Sequence, residues 1–135
     1  MTFTVYVDGL AQPSNPGLGT YGFVIYDGGR KVAEDAGLAG RGVTSNFAEY
    51  TALAEALKKL KAMKVEGDVL VRSDSKLLVG HLSEGWKVKG GMYVGKLKEV
   101  RDLMKEFGSI RFEWIPREQN EEADLLTRVA YDRHR

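Results

Sequence analysis

The chain has 135 residues, 43% hydrophobic and 29% charged, with a formal net charge of +1. That length fits one domain with a sizeable core, and the interspersed charge signs argue against a disordered tail. The near-neutral balance gives no electrostatic footprint of a nucleic-acid binder, and the absence of cysteine excludes disulfides, zinc thiolates and thiol catalysis.

No stretch approaches the roughly 18 continuous apolar residues of a membrane span, and no secretory leader precedes the first strand. A soluble, cytoplasmic protein without membrane contact is the expectation. Residues 2–8 alternate, with Phe3, Val5 and Val7 on one side and Thr4, Tyr6 and Asp8 on the other. After the turn-rich "GLAQPSNPGLG" come strands at 20–27 and 31–40, joined by a tight turn at Asp27-Gly28-Gly29. These three strands read as an antiparallel meander. From Phe47 to Lys64 the apolar spacing turns helical, through Tyr50, Leu53, Ala54, Leu57 and Leu60. Then follow a strand in "DVLVRSD", a short helix in "SKLLVGHL" and a longer amphipathic helix at 92–107. "SIRFEWIP" is a strand closed by Pro116, and 120–134 is a terminal helix. The order is βββαβααβα. Strands separated by helices need crossovers, so the later strands should lie parallel to the first.

Four acids sit where acids are awkward. Asp8 ends the first strand and Asp74 the fourth; as parallel neighbours they would emerge at one sheet edge, where open α/β sheets place ligands. Glu49 follows the buried stripe of its helix, and Asp124 lies early in the last helix, on the side of Asn120 and Thr127. Each also has a purely structural reading. Asp8 before Gly9 suits a turn, and Asp74-Ser75 suits a helix cap. Asn46 with Glu49 has the form of a capping box, and Asp124 that of an acidic first turn. Four such coincidences on convergent elements are harder to accept than one site. Clustered carboxylates repel, and hard divalent cations such as Mg²⁺ relieve this with oxygen ligands. Two ions roughly 3.5–4 Å apart suit in-line phosphoryl displacement, which is nuclease chemistry.

In order and spacing, "YVDG…NPG", "TSNFAEYTALAEAL", "SDSKLLV" and "WIPREQNEEADLLT" resemble the signature segments of ribonuclease HI, over nearly the whole chain. The resemblance implies a single ribonuclease H domain over residues 1–135, an α/β fold with a mixed five-stranded sheet flanked by helices. It implies an endonuclease that cuts the RNA strand of RNA–DNA hybrids with two Mg²⁺ ions, leaving 5′-phosphate and 3′-hydroxyl ends. Mn²⁺ would substitute, and the chain would act as a monomer. Asp8, Glu49, Asp74 and Asp124 would be the catalytic and metal-binding acids, with Asp8 bridging the ions. Glu49 would contact metal, water or the RNA 2′-hydroxyl, a group that distinguishes RNA from DNA.

The same resemblance marks substrate-binding positions. Asn15 and Asn46 would read the minor groove, Thr44 would hold a DNA-strand phosphate, and Gly9 and Asn120 fall within matched motifs. Structural readings stand beside these, a turn for Asn15 and helix caps for Asn46 and Asn120. Two departures matter. The loop before the last acid lacks the histidine many bacterial members carry; Arg117 could take over part of its role, though a guanidinium does not shuttle protons as an imidazole does. The basic protrusion is reduced to "EGWKVKGGMYVG", where Trp86, Lys87 and Lys89 interleave charge with aromatics as a nucleic-acid track would. The alternative is a core tryptophan flanked by solvated lysines. His81, two turns beyond Asp74, reads as a surface or core residue.

Other functions fit less well. Gly17 to Gly22 spells G-x-G-x-x-G, but a strand follows it instead of a helix, which removes the dinucleotide reading. Sugar and actin-like kinases share the topology but need two such domains. A non-catalytic hybrid-binding module, or a nuclease with broader substrates such as double-stranded RNA, remains the alternative.

Overall fold

The computed structural model describes residues 2–135. Strands β1 (Thr2–Gln12), β2 (Gly17–Asp27) and β3 (Arg30–Val43) form the meander, followed by helix α1 (Ser45–Ala62) and strand β4 (Asp68–Ser73). Helices α2 (Lys76–Ser83) and α3 (Val94–Met104), strand β5 (Ile110–Trp114) and helix α4 (Glu121–His134) complete the chain. The mixed five-stranded sheet has the order β3-β2-β1-β4-β5, and β4 and β5 run parallel to β1 as the crossovers require. The turn at Gly28 and Gly29 joins β2 to β3, and Gly28 adopts φ +62°, a left-handed conformation that favours glycine.

Alternation assigns the faces. Phe3, Val5, Val7, Phe23 and Ile25 join Leu53, Leu57 and Leu60 of α1 in one core. Gly22 and Thr20 point the other way, toward α4, and Thr20 donates its hydroxyl to the Thr127 carbonyl at 2.9 Å. The lysines at 58, 59, 61 and 64 form the wet face of α1 and its exit; Lys58 and Lys61 pair with Glu99 and Glu106 around α3. No helix among the described residues is long and apolar enough to cross a membrane.

Two expectations need correction. Strand β1 does not end at Asp8, because its pairing with β2 runs on from Phe3 to Gln12. Only the pairing with β4 stops there, at Val7 opposite Ser73. The cap of α1 is Thr44, whose hydroxyl accepts from the Phe47 N–H at 3.2 Å, so Asn46 and Glu49 form no capping box. Glu49 lies beyond the first turn that a box would close, which leaves its carboxylate for another use.

Candidate active site

Beyond the last β1–β4 pair the two strands separate. Asp8 and Asp74 are the residues that follow this pair, so the register brings both acids to one opening of the sheet. Asp8 is paired with Gly22 and therefore shares the face that α4 covers. Its carboxyl meets Asp124 there at hydrogen-bonding range. Glu49 arrives from the opposite face on α1. It can do so because Gly9 has no side chain: a Cβ there would lie 2.2 Å from the Glu49 nitrogen. The cluster thus straddles the sheet edge, fed by one helix from each face.

One carboxylate oxygen each from Asp8, Glu49 and Asp74 lie within 4.8 Å of one another. Burial, then Asp74 and the other acids, push the Asp8 carboxyl up to about 9. Burial and Asp74 push Glu49 up to about 8, against the nearby Ser75 hydroxyl and the charge of Arg117. Asp74 is raised mainly by burial and held down by Arg117, whose Nε stands 4.0 Å from it. Arg117 is 75% exposed and cannot neutralise three acids through solvent. An all-oxygen donor set with excess negative charge fits a hard divalent cation, which would return these carboxyls to their ionised forms. Asp124 is partly buried and pairs with Arg128 at 3.1 Å.

The cleft has a volume of about 440 Å³. Asp8, Gly9, Asn15, Glu49, Asp74, Arg117 and Asp124 line it, seven of the residues expected from sequence. Asn15 is more than a turn former. It donates to the Ser45 hydroxyl at 2.9 Å and accepts from the Ser45 N–H at 3.0 Å, tying the β1–β2 loop to the start of α1. Asn120 lies beneath the cleft, 1% exposed, and donates to the Val7 carbonyl at 2.8 Å instead of capping α4. Thr44 and Asn46 stand at the head of α1 and do not line the cleft. Trp86, Lys87 and Lys89 are not brought there either. They line a separate groove with Leu77, His81 and Tyr93, and Trp86 is 46% exposed, so it is no core tryptophan.

Three contributors were missed in the sequence. Ser75 caps α2 through the Leu78 N–H at 3.1 Å and stands near enough to Glu49 to lower its pKa. Ser45 and Trp114 line the cleft, and the Trp114 indole donates to the Asp74 carbonyl at 3.2 Å. A tryptophan two residues before Pro116, ending the strand beside Asp74, was the signal available for the last.

The sequence profile of a family described as reverse transcriptase-like matches residues 6–130. Ribonuclease H of Francisella philomiragia is 31% identical over 141 residues, covering 93% of this chain and 88% of that protein. Bifunctional protein Rv2228c of Mycobacterium tuberculosis is 36% identical over 135 residues, and this chain spans only 36% of its length. The structure of LC11-RNase H1 in complex with RNA/DNA hybrid superposes with a TM-score of 0.90 at 34% identity, covering 97% of both chains. With the sheet order, the acidic cleft and these similarities together, the chain belongs to the type 1 ribonuclease H family.

Proposed function

We propose that the chain is a divalent-metal-dependent endonuclease that hydrolyses the RNA strand of RNA–DNA hybrids, leaving 5′-phosphate and 3′-hydroxyl ends. The observation that carries this reading is the convergence of Asp8, Glu49 and Asp74 within 4.8 Å at an open sheet edge. With Asp124 these residues would hold two Mg²⁺ ions, or Mn²⁺ in their place. When bound, such ions supply a more acidic attacking water and positive charge at the leaving oxygen.

The chain's own residues do the rest. Glu49, beside Ser75, presents a carboxylate that accepts a hydrogen bond from the RNA 2′-hydroxyl. Arg117, largely exposed beside Asp74, keeps its guanidinium N–H groups free for a phosphate. Thr44 and Asn46 at the head of α1, with Asn15 clamped to Ser45, face the hybrid on one side of the acids. The separate groove of Trp86, Lys87 and Lys89 would follow a strand's backbone. The similarity to LC11-RNase H1, solved in complex with RNA/DNA hybrid, supports this choice of substrate.

The test is cleavage of an end-labelled RNA–DNA hybrid with Mg²⁺, with Mn²⁺ and with chelator, comparing wild type and Asp8→Asn. Metal-dependent cuts in the RNA strand, reduced at least about 10³-fold in the variant, are expected. Intact RNA in wild type under both metals, despite binding of the hybrid, would overturn the reading.

A further inference from the structure

His81 takes no part in the chemistry above, yet it is 3% exposed and lies within a stack of three rings. Its centroid is 5.5 Å from Tyr93 and 6.2 Å from Tyr50, which are 5.4 Å apart, all at interplanar angles of 25° or less. His81 Nδ1 is 2.6 Å from the Tyr50 hydroxyl. A tyrosine hydroxyl carries its proton near neutral pH and donates here. Nδ1 is then the acceptor and the ring proton sits on Nε2. The His81 ring lines the groove of Trp86, Lys87 and Lys89 beside Tyr93.

The segment reached in this way is one that holds itself poorly. Residues 84–93 carry no ladder hydrogen bonds, and Gly85, Gly90 and Gly91 adopt φ +68°, +102° and +132°. A glycine-rich segment loses much entropy on ordering, so each tether counts. The Glu84 and Trp86 N–H groups donate to the Gly80 carbonyl at 3.1 and 3.0 Å, the Trp86 indole rests on Gly80, Val88 packs on the core, and Tyr93 stacks on His81 and Tyr50. Tyr50 follows Glu49 in α1, so the Tyr50–His81 bond joins the helix of a candidate catalytic acid to α2, and the Tyr93 ring carries the contact on to this segment.

We propose that His81 is a positioning residue: through Tyr50 and the Tyr93 ring it fixes the groove of Trp86, Lys87 and Lys89 relative to the acidic cleft. The substrate side of this proposal rests on the hybrid-cleaving function proposed above; the structural side does not.

Two readouts separate them. Trypsin cleaves after Lys87 and Lys89, so native-state proteolysis reports whether the segment is held. His81→Ala should speed the first cuts there about tenfold, and Tyr50→Phe, which removes only the hydroxyl, about threefold. His81→Gln, whose amide offers both an acceptor and a donor, should restore most of the protection. In hybrid cleavage His81→Ala should raise KM about fivefold with kcat within about twofold of wild type, and His81→Gln should recover KM. Equal tryptic rates at these sites in all four proteins would overturn the proposal. A fall in kcat with unchanged KM would overturn it too, because His81 would then act on the chemistry. If His81→Ala does not fold, Tyr50→Phe carries the same test. If wild type neither binds nor cuts the hybrid, the proposed function falls, and the tryptic comparison alone decides whether His81 holds the segment.

Discussion

Two glycines separate the acidic cleft from the basic aromatic groove. A Cβ on Gly9 or on Gly80 would lie 2.2 Å from its neighbour, but that neighbour is the Glu49 backbone in one case and the Trp86 ring in the other. The α1 backbone cannot yield without carrying Glu49 away from Asp8. Trp86 is half in solvent and can swing outward. The acids are therefore set by strand register and helix packing, while the groove is set by a few tethers on a glycine-rich segment. Under the proposed function, chemistry that tolerates little displacement would sit on the stiff part, and contact with a long polymer on the part that gives.

The largest test of this contrast is Gly9→Ala. It should reduce hybrid cleavage at least about 100-fold and destabilise the fold by about 3 kcal/mol, read from kinetics and denaturant melts. A variant with near-normal kcat would mean the acids are less rigidly placed than the packing implies.

Next comes the charge of the cleft itself. The carboxyls of Asp8, at about 9, and Glu49, at about 8, are more basic folded than unfolded, so the folded state retains protons that the unfolded state releases. Their contribution to stability is fully present below their unfolded values near 4 and is lost as pH rises through about 8 to 9. Thermal melts with chelator should fall by several degrees between pH 5 and pH 9 on this account, roughly 3–4 °C per kcal/mol for a domain of this size. Mg²⁺ should restore stability most at the alkaline end. Asp8→Asn should flatten the pH dependence and raise the metal-free melting temperature while abolishing cleavage. A flat wild-type profile would show that the acids are already compensated.

Effects at the groove should be smaller and of another kind. Gly80→Ala should displace the Trp86 indole and raise KM for the hybrid about three- to tenfold, with kcat near wild type. Lys87→Ala and Lys89→Ala should each raise KM about threefold and reduce the slope of log affinity against log salt by about one. If instead Gly80→Ala matched Gly9→Ala in kcat, the two regions would not differ as their contacts suggest.

Much of this architecture could be read locally. The alternation of Phe3, Val5 and Val7 marked a strand, and the spacing of Leu53, Leu57 and Leu60 marked a helix, because period follows from backbone geometry alone. Boundaries were weaker. Strand β1 ran four residues past Asp8 to Gln12 because β2 supplies partners there, a non-local fact. Asn46 looked like a cap two residues after the true one, Thr44, since both residue types cap helices and only the backbone decides between them. Trp86 was undecided between core and surface because burial depends on what covers a side chain. His81 was passed over for the same reason: its two partners lie 31 positions earlier and 12 positions later.

The sequence by itself determined the order of elements, marked four acids as candidates and, through ordered motifs, pointed to the family. Local spacing and residue chemistry suffice for these. Only the tertiary structure decided that Asp8, Glu49 and Asp74 share one space. Their meeting depends on a parallel register ending at Val7 and Ser73, and on a glycine that lets α1 touch β1. Such distances between remote residues are set by the packing of whole elements, which no local pattern encodes.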